Sequence, residues 1–279
     1  MPRLGNYKKL KVGIVGCGAI GSSLAKIIRR DFPDKLRLAA LYDTDNLKSN
    51  LLAKELGLKE RLVAFSLKDC IQKVDLVIEA ASAQACADIV QQALEQKRSV
   101  LAMSVGGLLA QLKKLTPLAQ KNRVKIYIPS GAICGIDAVK AARLGQLTRV
   151  VLVTRKPALS FLGVEYVKKK GLELTRLKQD KVIFRGPAQK AVRLFPQNIN
   201  VAAVLSLAGL GERKTQVEII ASPFLKNNVH RIELEADCAK VICQTENVQH
   251  PENPKTSYLA ILSAASLLRR IVEPVEIGT

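Results

Sequence analysis

A glycine triplet near the amino end restricts this chain more than any other feature it carries. Gly16-Cys17-Gly18-Ala19-Ile20-Gly21 directly follows the apolar run Leu10–Val15 and opens an amphipathic stretch, Ala19–Arg30. At such a strand-to-helix junction each glycine has its own task. Gly16 permits the tight turn, Gly18 lets a pyrophosphate reach the backbone without meeting a Cβ, and Gly21 lets the helix pack closely on the strand. The uncovered N–H groups and partial positive charge of the helix start complete an anion site, with Ala19 and Ile20 in the turn that faces it. Alone, the six residues are weak evidence. A strand before them, a helix after them and Asp43 at the end of the next apolar run, roughly twenty positions on, make a dinucleotide-binding fingerprint. A carboxylate at Asp43 accepts hydrogen bonds from the adenosine ribose hydroxyls and repels a 2′-phosphate, and Thr44 stands where an Arg would hold that phosphate. NAD is the expected cofactor, with NADP use left open.

The surrounding pattern agrees. Apolar runs at Leu10–Val15, Leu36–Tyr42, Leu76–Glu79, Val100–Met103 and Val124–Ile128 are Leu-rich or β-branched and barely alternate, as strands buried on both faces do. Helical stretches at Ala19–Arg30, Leu47–Leu56, Gln84–Gln96 and Leu108–Asn122 separate them. Strands alternating with helices of that length imply βαβ units and a doubly wound parallel sheet, the Rossmann form of the α/β class, over residues 1–130. After Ser130-Gly131 the character changes. Gly135–Leu144 reads as a helix, Val150–Thr154 as a strand, Val201–Leu210 as an apolar helix behind Asn200, and Gln216–Ala221, Val229–Ala236 and Lys240–Thr245 as further strands. This is the pattern of a smaller α+β domain, residues 131–254, with an open antiparallel sheet. A closing helix, Thr256–Val272, within about 255–279, is expected to pack back on the first domain.

Composition narrows the setting. No apolar run approaches the ~18 residues of a membrane-spanning helix, and the polar, basic Met1–Leu10 lacks the apolar stretch of a signal peptide, so a soluble cytoplasmic protein without a membrane partner is expected. Six cysteines, with no CxxC pair, and only two histidines, His230 and His250, match no metal-site spacing; small buried thiols in a reducing compartment and no metal are expected. The formal net charge of +20 raises nucleic acid as a partner. Its densest groups, Lys8-Lys9-Lys11 and Lys168-Lys169-Lys170, are short, and aromatics are only 4%, so a basic solvated surface is expected instead.

Beyond the glycine motif, a series of segments resembles the L-aspartate dehydrogenases from Lys11 to Ile271. They are Glu79-Ala80-Ala81-Ser82, Met103-Ser104-Val105-Gly106, Pro129-Ser130-Gly131-Ala132-Ile133-Cys134-Gly135, Thr154-Arg155-Lys156-Pro157, and Phe195-Pro196-Gln197-Asn198-Ile199-Asn200-Val201-Ala202, followed by Asn228-Val229-His230 and by Glu246-Asn247 through Asn253-Pro254-Lys255-Thr256-Ser257. The resemblance implies oxidation of L-aspartate with NAD or NADP to iminoaspartate, which hydrolyses to oxaloacetate and ammonia, with reductive amination of oxaloacetate as the reverse and nicotinamide-ring synthesis as an outlet. It also implies a Rossmann domain plus a smaller α+β domain, usually as a homodimer. By matching motif positions, Ala80 and Ala81 lie on the cofactor side, Ala132 and Asn200 contact its nicotinamide half, and His230 is the catalytic residue.

The chemistry suits an imidazole. Hydride removal from Cα needs a deprotonated amine, and the imine then needs an activated water; a histidine titrating near neutral pH serves both proton transfers. His250, in a polar Pro-flanked segment, is expected to be solvated. Two substrate carboxylates need cationic partners, and Arg155, Lys156 and Lys255 are the candidates by motif context. Departures from the family pattern are Arg231 in place of Glu after the histidine, Ala236-Asp237-Cys238-Ala239 in place of a glycine-richer segment, and smaller ones at Gly106-Gly107 and Val248-Gln249-His250. If Arg231 turns toward the site it depresses the His230 pKa by repulsion. Two competing readings remain at this stage. One is a dihydrodipicolinate reductase-like enzyme for another dicarboxylate, whose usual histidine pair beside a lysine is missing here. The other is a non-catalytic dinucleotide sensor or nucleic-acid-associated protein, motivated by the charge.

Overall fold

The computed structural model describes residues 8–195, 200–251 and 253–278, with the side chains of 253–255 left aside. Two compact units result: residues up to Pro129 with Ala264–Glu276, and Ser130–Ser263 with the end of the chain.

The first unit runs β1 (Leu10–Val15), α1 (Ala19–Asp31), β2 (Leu36–Tyr42), α2 (Asn46–Glu55), α3 (Leu67–Gln72), β3 (Leu76–Glu79), α4 (Ala83–Glu95), β4 (Ser99–Ala102), α5 (Val105–Leu108), α6 (Leu112–Asn122) and β5 (Ile126–Tyr127). The five strands form one parallel sheet in the order β2-β1-β3-β4-β5. Every residue of β3 is buried, which is why its sequence shows no alternation. Helices close the core through Ile71, Val90, Leu94 and Leu108 against Val77 and Val100. The chain leaves β1 toward β2 on one side and returns to β3 on the other, so the strand order reverses beside β1. That switch point opens a crevice beyond the carboxyl ends of the strands, where such sheets bind ligands. The helix expected over 108–122 begins at Leu112, behind a separate short helix, α5, that ends at Leu108. Gly107 lets α5 press on the start of α4, where a Cβ would stand 1.8 Å from the Ala83 carbonyl oxygen, and the chain turns at 109–111 before α6 begins.

The second unit runs α7 (Ile136–Ala142), β6 (Leu147–Pro157), α8 (Glu165–Lys169), β7 (Lys181–Pro187), α9 (Ala188–Leu194), α10 (Asn200–Ala208), β8 (Gln216–Ser222), β9 (Asn228–Ala236), β10 (Lys240–Asn247), β11 (Gln249–His250), β12 (Asn253–Ser257) and the first turns of α11 (Tyr258–Val272). Its sheet is ordered β10-β9-β6-β8-β7. The expectation of an antiparallel sheet is corrected here: β6 and β8 pair in parallel, because β7, α9 and α10 lie between them and carry the chain back to the same edge. β7 and the small β11–β12 pair, absent from the sequence reading, complete the unit, and β12 occupies part of the span expected to open the last helix. No helix among the described residues is long and apolar enough to cross a membrane.

Candidate active site

The glycine loop of the first unit is built as its sequence requires. Gly16 sits at φ +96°, and a Cβ there would lie 2.5 Å from the Ala80 oxygen and 2.7 Å from the Ala81 nitrogen. At Gly21 a Cβ would stand 1.9 Å from the Gly16 oxygen, so helix and turn touch through bare backbone. Gly18 is the opposite: exposed, with nothing within 4 Å of a built Cβ. It caps α1 without a side chain, whereas α2, α3 and α4 are capped by Asp45, Ser66 and Ser82. The first-turn amides of α1, at the half-buried Ala19 and Ile20, thus remain for an anion.

Asp43 holds this loop as well as facing it. Its Oδ2 accepts from the Cys17 N–H at 2.7 Å and its Oδ1 from the Asp45 N–H at 2.9 Å. A carboxylate has about four lone-pair directions, so two remain for ribose hydroxyls. Cys17 is structural: its buried thiol points at the Tyr42 oxygen, and burial, then the Asp43 charge, push its pKa up to about 12. Ala80 is half-buried and Ala81 exposed, directly behind Gly16. An open glycine, an uncapped helix start and a partly engaged carboxylate fit a dinucleotide.

In the second unit one face of the sheet changes character along its length. Val150 and Leu152 of β6 pair with Leu234 and Ile232 of β9 as buried core. Two residues further along each strand the same face carries Thr154 and His230, cross-strand partners, then Lys156. All three are buried, His230 to 4% exposure and Lys156 to 7%. Thr154 Oγ1 lies 3.1 Å from His230 Nδ1, so that nitrogen is engaged and Nε2 is the one available to a substrate. Burial first, and then the neighbouring Lys156 charge, push the His230 pKa down to about 3. Burial likewise pushes Lys156 down to about 8. The expectation of a ring titrating near neutrality is thus revised for the protein without substrate. The depressing charge is also not Arg231, which alternates to the other face and pairs with Glu233 at 3.0 Å.

Next along the sheet, β10 fixes the segment that holds Ala132. Thr245 Oγ1 and Asn247 Nδ2 both donate to the Ala132 oxygen, at 2.9 and 3.1 Å, and Ser257 donates to Asn247 Oδ1 at 2.7 Å. Asn200 is exposed at the first residue of α10, and Pro196–Ile199 before it lie outside the described residues. Of the three candidate cations, Arg155 faces away from His230 and binds Asp180, Lys156 stands by His230, and the Lys255 side chain lies outside the described residues. His250 is buried, edge-on to the Tyr258 ring at 5.4 Å, which corrects the expectation of a solvated ring. Thr154 and Asn247 are the residues whose individual roles were missed. The alternation of Thr154 and Lys156 along a strand was the available signal for the first, and a buried Asn within a motif that of the second.

Residues 137–271 match the family model described as aspartate dehydrogenase, C-terminal, and residues 16–129 that described as homoserine dehydrogenase, NAD binding domain. The L-aspartate dehydrogenase of Methanosarcina barkeri is 43% identical over 97% of this chain and 100% of its own length, and that of Methanosarcina mazei is 44% identical over the same shares. The crystal structure of aspartate dehydrogenase from Thermotoga maritima superposes with a TM-score of 0.73 at 23% identity, covering 97% of this chain and 100% of that one. Scyllo-inositol dehydrogenase from Lactobacillus casei, solved with NAD(H) and scyllo-inositol, shares the fold at a TM-score of 0.58 and 18% identity, over 97% and 91% of the two chains. An NAD-binding domain model followed by an aspartate dehydrogenase C-terminal model, with relatives matched over 97% of the chain at such identity, places the chain in the L-aspartate dehydrogenase family.

Proposed function

We propose that the protein oxidises L-aspartate with NAD to iminoaspartate, which water converts to oxaloacetate and ammonia, and that it catalyses the reductive amination in reverse. The observation that carries this reading is the buried corner of Thr154, Lys156 and His230, an imidazole tethered beside a lysine. The glycine loop, Asp43, Ala80, Ala81, Ala132 and Asn200 hold the dinucleotide, whose nicotinamide when bound supplies the acceptor for the Cα hydride. Lys156 pairs with a substrate carboxylate, charge against charge in a site shielded from water. The substrate carboxylates then offset the positive charge and raise the His230 pKa toward the working range. Nε2 of His230 takes a proton from the substrate ammonium so that the nitrogen lone pair can assist hydride departure. Once that proton has passed from the imidazolium to solvent, the neutral ring takes a proton from the water that attacks the imine carbon. Thr154 keeps the ring aimed through both steps.

The same reading takes the working form as a homodimer in the cytoplasm, in line with the family resemblance and with buried Cys17, Cys70 and Cys86 kept as thiols. Sedimentation velocity on the purified chain tests the first. The decisive assay is NADH formation from L-aspartate and NAD at alkaline pH, beside His230→Ala. Aspartate-specific turnover that collapses in the variant supports the reading. Absence of turnover in either direction, with NADH binding intact, moves the substrate elsewhere.

A further inference from the structure

The strand ends of the parallel sheet are tied sideways by two carboxylates, and only one of them belongs to the cofactor fingerprint. Asp43, after β2, reaches the loop after β1 through the Cys17 N–H. Glu79, the last residue of β3, reaches the loop after β4: its Oε2 accepts from the backbone N–H of Ser104 at 3.0 Å and of Met103 at 3.2 Å, and its Oε1 from the Ser104 hydroxyl at 2.8 Å. On its own side it takes the Ala81 N–H at 2.9 Å and the Cys86 thiol at 3.1 Å. Five donors converge on a side chain with no exposed surface.

A carboxylate is costly to bury unless donors replace its water, and the rest of β3 is Leu76, Val77 and Ile78. An apolar residue would fill this position without needing five partners. What the carboxylate adds is a connection between two loops. Ala81, whose amide it holds, is the backbone against which the Gly16 turn is set, and Ser104 opens the neighbouring loop. The loop after β3 flanks the crevice at the switch point between β1 and β3, and the loop after β4 adjoins it on the side away from β1.

We propose that Glu79 is a positioning residue for the dinucleotide, locking the loops after β3 and β4 into the shape that receives it without touching it. This rests on the reading of the first unit as the NAD site. The test is fluorescence titration of NADH into the full-length wild type, Glu79→Gln and Ser104→Ala, with hydrogen exchange followed over 80–86 and 103–108. The Gln amide keeps the size but turns an NH2 toward backbone donors. Glu79→Gln is expected to unfold cooperatively, to bind NADH at least tenfold more weakly, to exchange faster in both loops, and to keep its KM for L-aspartate within twofold at saturating NAD. Ser104→Ala, which loses one donor, is expected to weaken NADH binding about threefold. A folded Glu79→Gln that binds NADH within twofold of wild type overturns the proposal, as does an aspartate KM that rises in step with the NADH Kd. Should Glu79→Gln not fold, Ser104→Ala and Cys86→Ala decide, and unchanged NADH affinity in both overturns it. A wild type that binds no NADH removes the dinucleotide reading itself and this proposal with it.

Discussion

Lowering the pH from 7 to 5 should cost this protein about 2 kcal/mol of stability through His230 alone. The ring is buried beside Lys156, and its pKa in the folded chain lies near 3 against 6.5 when exposed. A depressed folded-state value means the unfolded chain binds the extra proton, so the stabilisation is complete above pH 6.5 and is lost as the pH falls toward 3. At pH 7 about a quarter of unfolded chains carry a charged imidazole, at pH 5 almost all do, and the folded ring stays neutral at both. Integrating the linkage relation over that interval gives about 2 kcal/mol. Lys156 adds nothing in this window, because a group with a folded pKa of about 8 is protonated in both states there. The assay is urea unfolding at pH 7 and 5 for wild type and His230→Asn, which keeps a polar group for Thr154. Contributions from other groups are common to both proteins and cancel in the comparison. The wild type should lose about 2 kcal/mol more than the variant on acidification. Equal losses would mean that the ring is solvated or already paired with an anion, and the electrostatic account of the corner would fall.

Three further perturbations test other parts of the site. Gly21→Ala drives a methyl group to within 1.9 Å of the Gly16 oxygen, backbone that cannot step aside; a loss of roughly 1–3 kcal/mol and of NADH binding is expected in melting and titration experiments. Lys156→Met keeps the packing and removes the charge, so the KM for L-aspartate should rise at least tenfold while NADH affinity holds, and the His230 pKa read by NMR should move up. Asp43→Ala frees the Cys17 amide and removes the proposed ribose acceptor; NADH should bind at least tenfold more weakly, and any preference for NADH over NADPH that the carboxylate imposes should shrink in side-by-side titrations.

The first unit was legible because its signals are local. β1, β2 and β3 fall where buried apolar runs end in turn residues, and the glycine tasks follow from six adjacent positions. The second unit is held by long-range pairings that no window reveals. The direction of β8 against β6 depends on what the intervening chain does, and β7 hides because Lys181-Val182-Ile183-Phe184-Arg185 is half exposed. His230 could be singled out because the chain has only two histidines and one sits in a matching motif. Its pKa could not, because the burial and the Lys156 charge that set it come from strand pairing. His250 misled for the same reason: its neighbours in sequence are polar, while its neighbour in space is Tyr258.

The first unit closes with a segment made late. Leu268 of α11 is fully buried, Arg269 lies over the Phe32 ring, and Lys35 pairs with Glu273, all within the unit whose strands end near residue 127. During vectorial synthesis the five strands therefore emerge without the helix that completes them, and the whole second unit must leave the ribosome first. A gene fragment ending at residue 130 would express an open sheet with an uncovered apolar flank, prone to associate. An excised NAD module of this protein would need residues 264–276 supplied through a designed linker or by circular permutation.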